Sequence, residues 1–112
     1  MADIEIVAEY CEALDEPDET FAAFAASEDP EEGYALFRRE GAKLWTEVSD
    51  EIFGAHDALE TVEIGEGRIA LAIRPALAAR FGMIRSVEIR RGKQAEGWDE
   101  AVALLRRLVP AG

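Results

Sequence analysis

The chain has 112 residues, 49% of them hydrophobic and 32% charged, with a formal net charge of −12. A chain of this length buries roughly two thirds of its unfolded surface without needing a metal or disulfide staple, and the composition is that of a folded domain rather than a disordered segment. The charge disfavours nucleic acid and anionic membrane surfaces, and neither is expected as a partner, because binding their phosphates needs the opposite sign.

No apolar run approaches the roughly 20 residues of a membrane span, and the acidic start Met1-Ala2-Asp3-Ile4-Glu5 lacks the basic region of a secretory signal. The expectation is one cytoplasmic domain over residues 1–112. Cys11 is the single cysteine and His56 the single histidine, so neither an intrachain disulfide nor a zinc site is expected, and no metal or cofactor is implied. The charge is unevenly spread. Residues 1–37 hold twelve acids and no Lys or Arg, whereas residues 68–112 hold nine bases against four acids. An acidic layer facing a basic layer accounts for this within one molecule, and an acidic face for a basic partner accounts for it between two.

In chain order, Ile4, Val7, Cys11 and Leu14 follow an i, i+3, i+7, i+10 stripe, which predicts a helix from about Asp3 to Leu14. Asp15-Glu16-Pro17-Asp18 ends it and opens a second helix with Phe21, Phe24 and Ala25 on its apolar face. Asp29 before Pro30, with Glu32 three residues after the cap, reads as the start of a third, long helix. That helix carries Phe37, Gly41, Leu44, Val48 and Ile52 on one face and stops at Gly54. Gly41 in mid-helix costs roughly 1 kcal/mol relative to alanine and signals close packing or a break.

From Leu59 onward the period changes to two. Val62 and Ile64 alternate with Glu63, Gly65-Glu66-Gly67 turns the chain, and Ile69, Leu71 and Ile73 share a face, which together predict an antiparallel hairpin. Met83 to Arg90 reads as a third strand, Arg91-Gly92-Lys93 as a turn, and Gln94 to Trp98 as a short fourth strand. Pro75 to Gly82 fits either a short helix or an extension of the strands. Asp99 then caps a last helix with Val102, Leu105, Leu108 and Val109 apolar. The predicted fold is thus α+β: three N-terminal helices, a three- to four-stranded antiparallel curved sheet, and one C-terminal helix.

Ile6-Val7-Ala8-Glu9-Tyr10-Cys11-Glu12-Ala13-Leu14-Asp15 with Phe21 to Ala25, and Val87 to Asp99 with Leu104-Leu105-Arg106-Arg107-Leu108, resemble the opening helices and closing hairpin of the nuclear-transport-factor-2-like superfamily. That superfamily includes ketosteroid isomerases and polyketide-cyclase-like proteins. The resemblance implies a cone-like fold around an apolar pocket, with Tyr10 as donor to a substrate oxygen and Asp29 as proton-transferring base. Arg85 stands where the isomerases have a protonated aspartic acid, and the chain is shorter than the family pattern.

The residues themselves add further candidates and, for each, a structural alternative. Tyr10 and Asp29 suit a donor and a base for enolisation, but equally a rim tyrosine and an N-cap. His56 beside Asp57 is a proton-transfer candidate or a loop histidine. Arg85, on a strand face with Val87 and Ile89, needs a carboxylate or a ligand anion if buried. Trp45 and Trp98 are pocket-lining candidates or core and interface residues, and Cys11 reads as core.

Two functional readings follow. The first is a homodimeric protein that binds a small apolar or cyclic molecule, with cofactor-independent isomerase, dehydratase or cyclase chemistry by proton transfer as its catalytic form. The second is a non-catalytic interaction or dimerisation module with an acidic helical face.

Overall fold

Alternation, not helical periodicity, governs the first half of the chain. The computed structural model describes residues 2–109. Eight strands, β1 (Ile4–Asp15), β2 (Thr20–Ala25), β3 (Tyr34–Glu40), β4 (Lys43–Val48), β5 (Gly54–His56), β6 (Leu59–Gly65), β7 (Arg68–Ile73) and β8 (Ser86–Glu96), precede one α-helix, α1 (Trp98–Leu108). All eight belong to one sheet in the order β5-β4-β3-β2-β1-β8-β7-β6. Neighbours are antiparallel except β1 and β8, which run parallel.

The three expected N-terminal helices are therefore strands, and the sheet has eight strands rather than three or four. The helical stripe of Ile4, Val7, Cys11 and Leu14 is coincidental, since Val7 is half exposed while Ile6 and Ala8 are buried. An irregularity between Ala8 and Tyr10 moves the pairing from Ala8–Arg91 to Tyr10–Glu96, with the extra residues on β8, and beyond it Cys11 and Ala13 pack against the core. That bulge breaks the period-two pattern where it would otherwise be plainest. The second expected helix is β2, with Ala22 and Phe24 buried. The third is the β3–β4 hairpin, and Gly41, at φ 64°, is its turn.

Why these strands look helical is a matter of packing. The helix α1 lies against β1, β2 and β3, burying Ala101, Leu104, Leu105 and Leu108. The inward positions beneath it include Ala8, Ala22 and Ala35, all fully buried. Alanine lets the helix approach the sheet closely, but it is also the best helix former, so its intrinsic preference points the wrong way and tertiary context overrides it. Phe24 anchors the layer, meeting Trp98 edge-on at 5.5 Å and Phe37 at 6.2 Å.

The second half follows the sequence more closely. The hairpin of β6 and β7 turns at Glu66-Gly67, and Ile69, Leu71, Ile73, Val87 and Ile89 are buried. Pro75–Phe81 forms a 3-10 helix closed by Gly82 in the left-handed region. The expected turn at Arg91-Gly92-Lys93 lies instead within β8, which is continuous to Glu96. Gly92 serves close approach: a Cβ there would stand 1.9 Å from Glu9 Oε1. That oxygen accepts from the amides of Gln94 (3.0 Å) and Ala95 (3.4 Å), filling the gap left by the bulge. Gly97, not Asp99, occupies the cap of α1, and Asp99 and Glu100 sit in its first turn, where negative charge offsets the helix dipole.

The sheet's two edges, β5 and β6, are joined by only Asp57 and Ala58. Asp57 N donates to Leu44 O of β4 (2.8 Å), and the next residue's carbonyl, Ala58 O, accepts from Arg74 N just past β7 (2.8 Å). Consecutive residues thus bond to the two opposite sides of the sheet, to β4 and to the end of β7, and the curled sheet is drawn together at that point. Asp57 adopts φ 52°, a conformation that Asp tolerates better than most residues. Its Oδ1 accepts from Leu44 N (3.1 Å) and its carbonyl accepts from Arg74 Nε (3.0 Å). Replacing Asp57 by Ala removes the bond to Leu44 and worsens the left-handed backbone, an expected cost of about 2–3 kcal/mol. Asp57→Asn, which keeps an acceptor and tolerates this backbone, should cost less than about 1 kcal/mol. Urea unfolding of both variants checks this, and an alanine variant as stable as the parent would show that the seam does not depend on Asp57.

Candidate functional site

The outer face of β2, β3 and β4 carries polar side chains that the strand register sets side by side. Leu36 pairs with Glu47 and Arg38 with Trp45 across β3 and β4, and Trp45 pairs with His56 across β4 and β5. A groove of about 630 Å3 runs over this face, a volume in the range of ligand and peptide sites. Its floor is Ala23, Ala25, Leu36 and Trp45, and Glu28 and Glu51 approach it from the β2–β3 and β4–β5 loops.

Glu47 lies in this groove and is only 8% exposed. Tyr34 donates its phenol to Glu47 Oε2, and Trp45 Nε1 donates to Oε1 (2.9 Å). Burial, then the bond to Glu47, pushes the Tyr34 phenol well above its usual range, so Tyr34 acts as a donor throughout the physiological range. Both partners of Glu47 are neutral, and among the described residues no cation forms an ion pair with it, nor with Glu28 or Glu51. The one base of the groove, Arg38, is already engaged by Glu40 (Nη2–Oε2 2.6 Å). A buried carboxylate satisfied by dipoles but not neutralised by charge concentrates negative potential at the groove floor.

Elsewhere on the face, carboxylates are neutralised. Glu40 Oε1 lies 2.6 Å from His56 Nε2, and the His56 ring meets Trp45 edge-on at 5.1 Å. Those bonds, from His56 first and then Arg38, hold the Glu40 carboxyl below its usual range. On β8, Glu88 is also 8% exposed, but it is clamped by Arg90 and by Arg68 (Nε–Oε2 2.8 Å). The contrast with Glu47 is one of counter-charge, not of burial.

The sequence candidates lie on separate elements. Tyr10 stands opposite Ala25 on the outer face of β1 and is exposed. Asp29 Oδ1 accepts from Glu31 N (3.0 Å) at the start of a 3-10 turn, Pro30–Glu32. Arg85 donates its backbone N–H to Asp3 Oδ2 (2.7 Å) and its Nε to Ile73 O (3.0 Å), and its Nη2 lies 3.7 Å from Glu60. Its side chain is half exposed, tying the 3-10 connection to β7. None of Tyr10, Asp29, His56 and Arg85 lines this groove. Trp45 lines the groove, whereas Trp98 is a core residue, 5% exposed. Burial pushes the Cys11 thiol up to about 11, the behaviour of an inert core cysteine.

Glu47 and Tyr34 escape a helical reading of residues 29–54. Taken as a hairpin about Gly41, the same residues place Tyr34, Leu36 and Arg38 beside Trp45 and Glu47 on one face, so the signal lies in the alternation Tyr34-Ala35-Leu36-Phe37. Among the described residues no group of three or more His, Cys, Asp or Glu is arranged to hold a metal ion, and no helix is long and apolar enough to cross a membrane.

No family model matches the chain, and searches by sequence among characterised proteins and by fold among solved structures found no match. They bear neither for nor against the resemblance to the nuclear-transport-factor-2-like superfamily.

The neutralised carboxylates carry a pH dependence. Arg90 and then Arg68 hold the Glu88 carboxyl below its ordinary 4.5, so their contribution to stability is present above that value and is lost as pH falls through the folded-state value. Glu88→Gln should therefore flatten the acid limb of a stability-against-pH curve below about pH 4.5. Thermal midpoints measured from pH 7 to pH 3 check this, and parallel curves for parent and variant would remove Glu88 from the account.

Proposed function

We propose that the protein is a non-catalytic interaction module, and that its outer groove receives a cationic side chain from the basic surface of a partner protein. Glu47 carries the reading. A carboxylate more than nine-tenths buried, held by a phenol and an indole and left without counter-charge, is set to gain most from an arriving guanidinium or ammonium group. Glu28 and Glu51 at the rim add like charge, and the surrounding loops hold Asp29, Glu31, Glu32 and Asp50 without a Lys or Arg between them. The apolar floor of Leu36 and Trp45 suits the methylene stem of such a side chain, and the Trp45 ring a stacked guanidinium. A net charge of −12 would steer a basic partner toward the molecule from a distance.

The acidic face is formed by strands and loops rather than helices, and it is not uniformly available. Asp3, Glu9, Asp29, Asp50 and Asp57 use side-chain oxygens to cap backbone amides of their own fold, so part of the acidity is structural. Glu28, Glu47 and Glu51 are what the groove offers a partner.

Trp45 is a built-in reporter. In a Trp98→Phe background, which leaves Trp45 as the sole tryptophan, titration with an arginine-rich peptide should change indole emission saturably. Affinity should fall severalfold between about 0.05 and 0.5 M salt as the exposed rim charges are screened. Glu47→Gln should weaken binding by roughly tenfold, the loss of one buried charge-assisted contact. Binding that survives Glu47→Gln unchanged, or that ignores salt, would set the reading aside.

A further inference from the structure

The seam that closes the sheet leaves a second cleft, of about 530 Å3, on the other side of the β3–β4 hairpin from the outer groove. One wall is the hairpin turn with Arg39, Lys43 and Leu44; the other is Ala58, Leu59 and Arg74, and Leu108 from the end of α1 reaches its floor. The charge here is opposite to that of the molecule as a whole. Three bases line the cleft against one acid, Asp57, whose Oδ1 is taken by the Leu44 amide.

Among the described residues, Arg39, Lys43 and Arg74 form no ion pair with any carboxylate, a property they share with Arg80, Arg91, Lys93 and Arg106; what sets the three apart is that they line one cleft together. Arg39 leans over the last turn of α1, with Nη2 3.5 Å from Arg107 O, and Arg74 Nε is held by Asp57 O (3.0 Å). The Arg74 guanidinium is thus anchored by one nitrogen, and among the described residues its terminal Nη groups make no hydrogen bond. Dipole complementarity at the end of α1 accounts for Arg39. It does not account for Lys43 on the hairpin turn or Arg74 beyond β7.

We infer that the seam cleft binds a small oxyanion bearing a short apolar group, a phosphate monoester or a carboxylate. Arg39, Lys43 and Arg74, all exposed at the cleft, supply the charged end, and Leu44, Leu59 and Leu108 receive the apolar end. The long-range field of a −12 protein repels anions, so retention at this cleft depends on contacts inside it. The charge of the lining favours a dianion over a monoanion, because three bases against one acid attract the doubly charged ion more strongly.

The test is titration of 15N-labelled protein at low ionic strength with inorganic phosphate, n-butyl phosphate and pentanoate, following amide shifts. Saturable shifts are expected at residues 41–44, 57–59 and 74. n-Butyl phosphate should bind at least about threefold more tightly than phosphate through the apolar wall, and pentanoate more weakly than n-butyl phosphate. Arg39→Gln/Lys43→Gln should weaken n-butyl phosphate roughly tenfold or more and leave amides of β6, β7 and β8 in place. Lys43→Gln alone, an exposed change on a turn, keeps the test decisive if the double variant does not fold. Pentanoate binding most tightly would assign the cleft to carboxylates rather than phosphates. Absence of saturation up to about 20 mM for all three probes, shifts scattered over other arginines, or unchanged affinity in the variants would overturn the inference.

Discussion

A single peptide step, Asp57 to Ala58, decides the shape of this protein. A sheet of eight strands that stays open exposes two edges of unpaired N–H and C=O groups, which natural proteins must cover or blunt. Here the chain leaves one edge and enters the other within two residues, and these consecutive residues bond to β4 and to the end of β7. The curl this forces brings the inward faces together around Phe24, Phe37, Ile69 and Ile89. It also sets the space that α1 must fill. A flat sheet of these strands would leave Ala8, Ala22 and Ala35 with nothing to touch, whereas a curled one needs them small. The two clefts follow from the same constraint, one on the outer face where β2, β3 and β4 bend, the other where the seam parts.

How much of this was legible in the sequence depends on side-chain size. From Leu59 to Ile89 the inward residues are Ile, Leu and Val alternating with Glu, Ala and Arg, and the strands and hairpin follow directly. In the first half the inward residues are often alanine, and the outward ones include Val7, Tyr10, Leu36 and Trp45, so the alternation is nearly inverted in hydrophobicity. A helix packed on a sheet borrows the sheet's bulk and asks for small residues in return. Sequence patterning, which measures bulk, then reads the strand as something else. The bulge near Glu9 and the turn at Gly41 completed the misreading, one by breaking a period of two and the other by sitting at a spacing compatible with 3.6. Tyr10 and Asp29, which the family resemblance pairs as donor and base on helices, stand instead on β1 opposite Ala25 and at a 3-10 turn. Glu47 was invisible for a related reason, since only a hairpin places it beneath Tyr34 and Trp45.

The acidity has three physical roles, separable residue by residue. Some carboxylates stand in for missing strand carbonyls, as Glu9 does at the bulge and Asp57 at the seam. Others are neutralised by arginine, as with Glu88 between Arg68 and Arg90. Glu47 belongs to neither group, and neither do the loop acids Glu28 and Glu51 beside it. Net charge alone would treat all of them as a uniform coat. The distinction lies in what each oxygen meets: a guanidinium cancels the charge, an amide holds it in the service of the fold, and at Glu47 a phenol and an indole hold it inside the groove.

The parallel pairing of β1 with β8 bears on how the chain first reaches this state. Asp3 and Ser86, bonded to each other at the start of that pair, are 83 residues apart in sequence. During synthesis β1 and β2 emerge early, yet the strand that covers the far side of β1 arrives almost last, together with the helix that buries their alanines. Closing so long a loop is entropically slow relative to forming local hairpins, so a nascent chain must carry a half-built sheet with β1 as a bare edge. The strongly acidic first third, whose charges repel another such chain, is well suited to keeping those unfinished edges from finding one another.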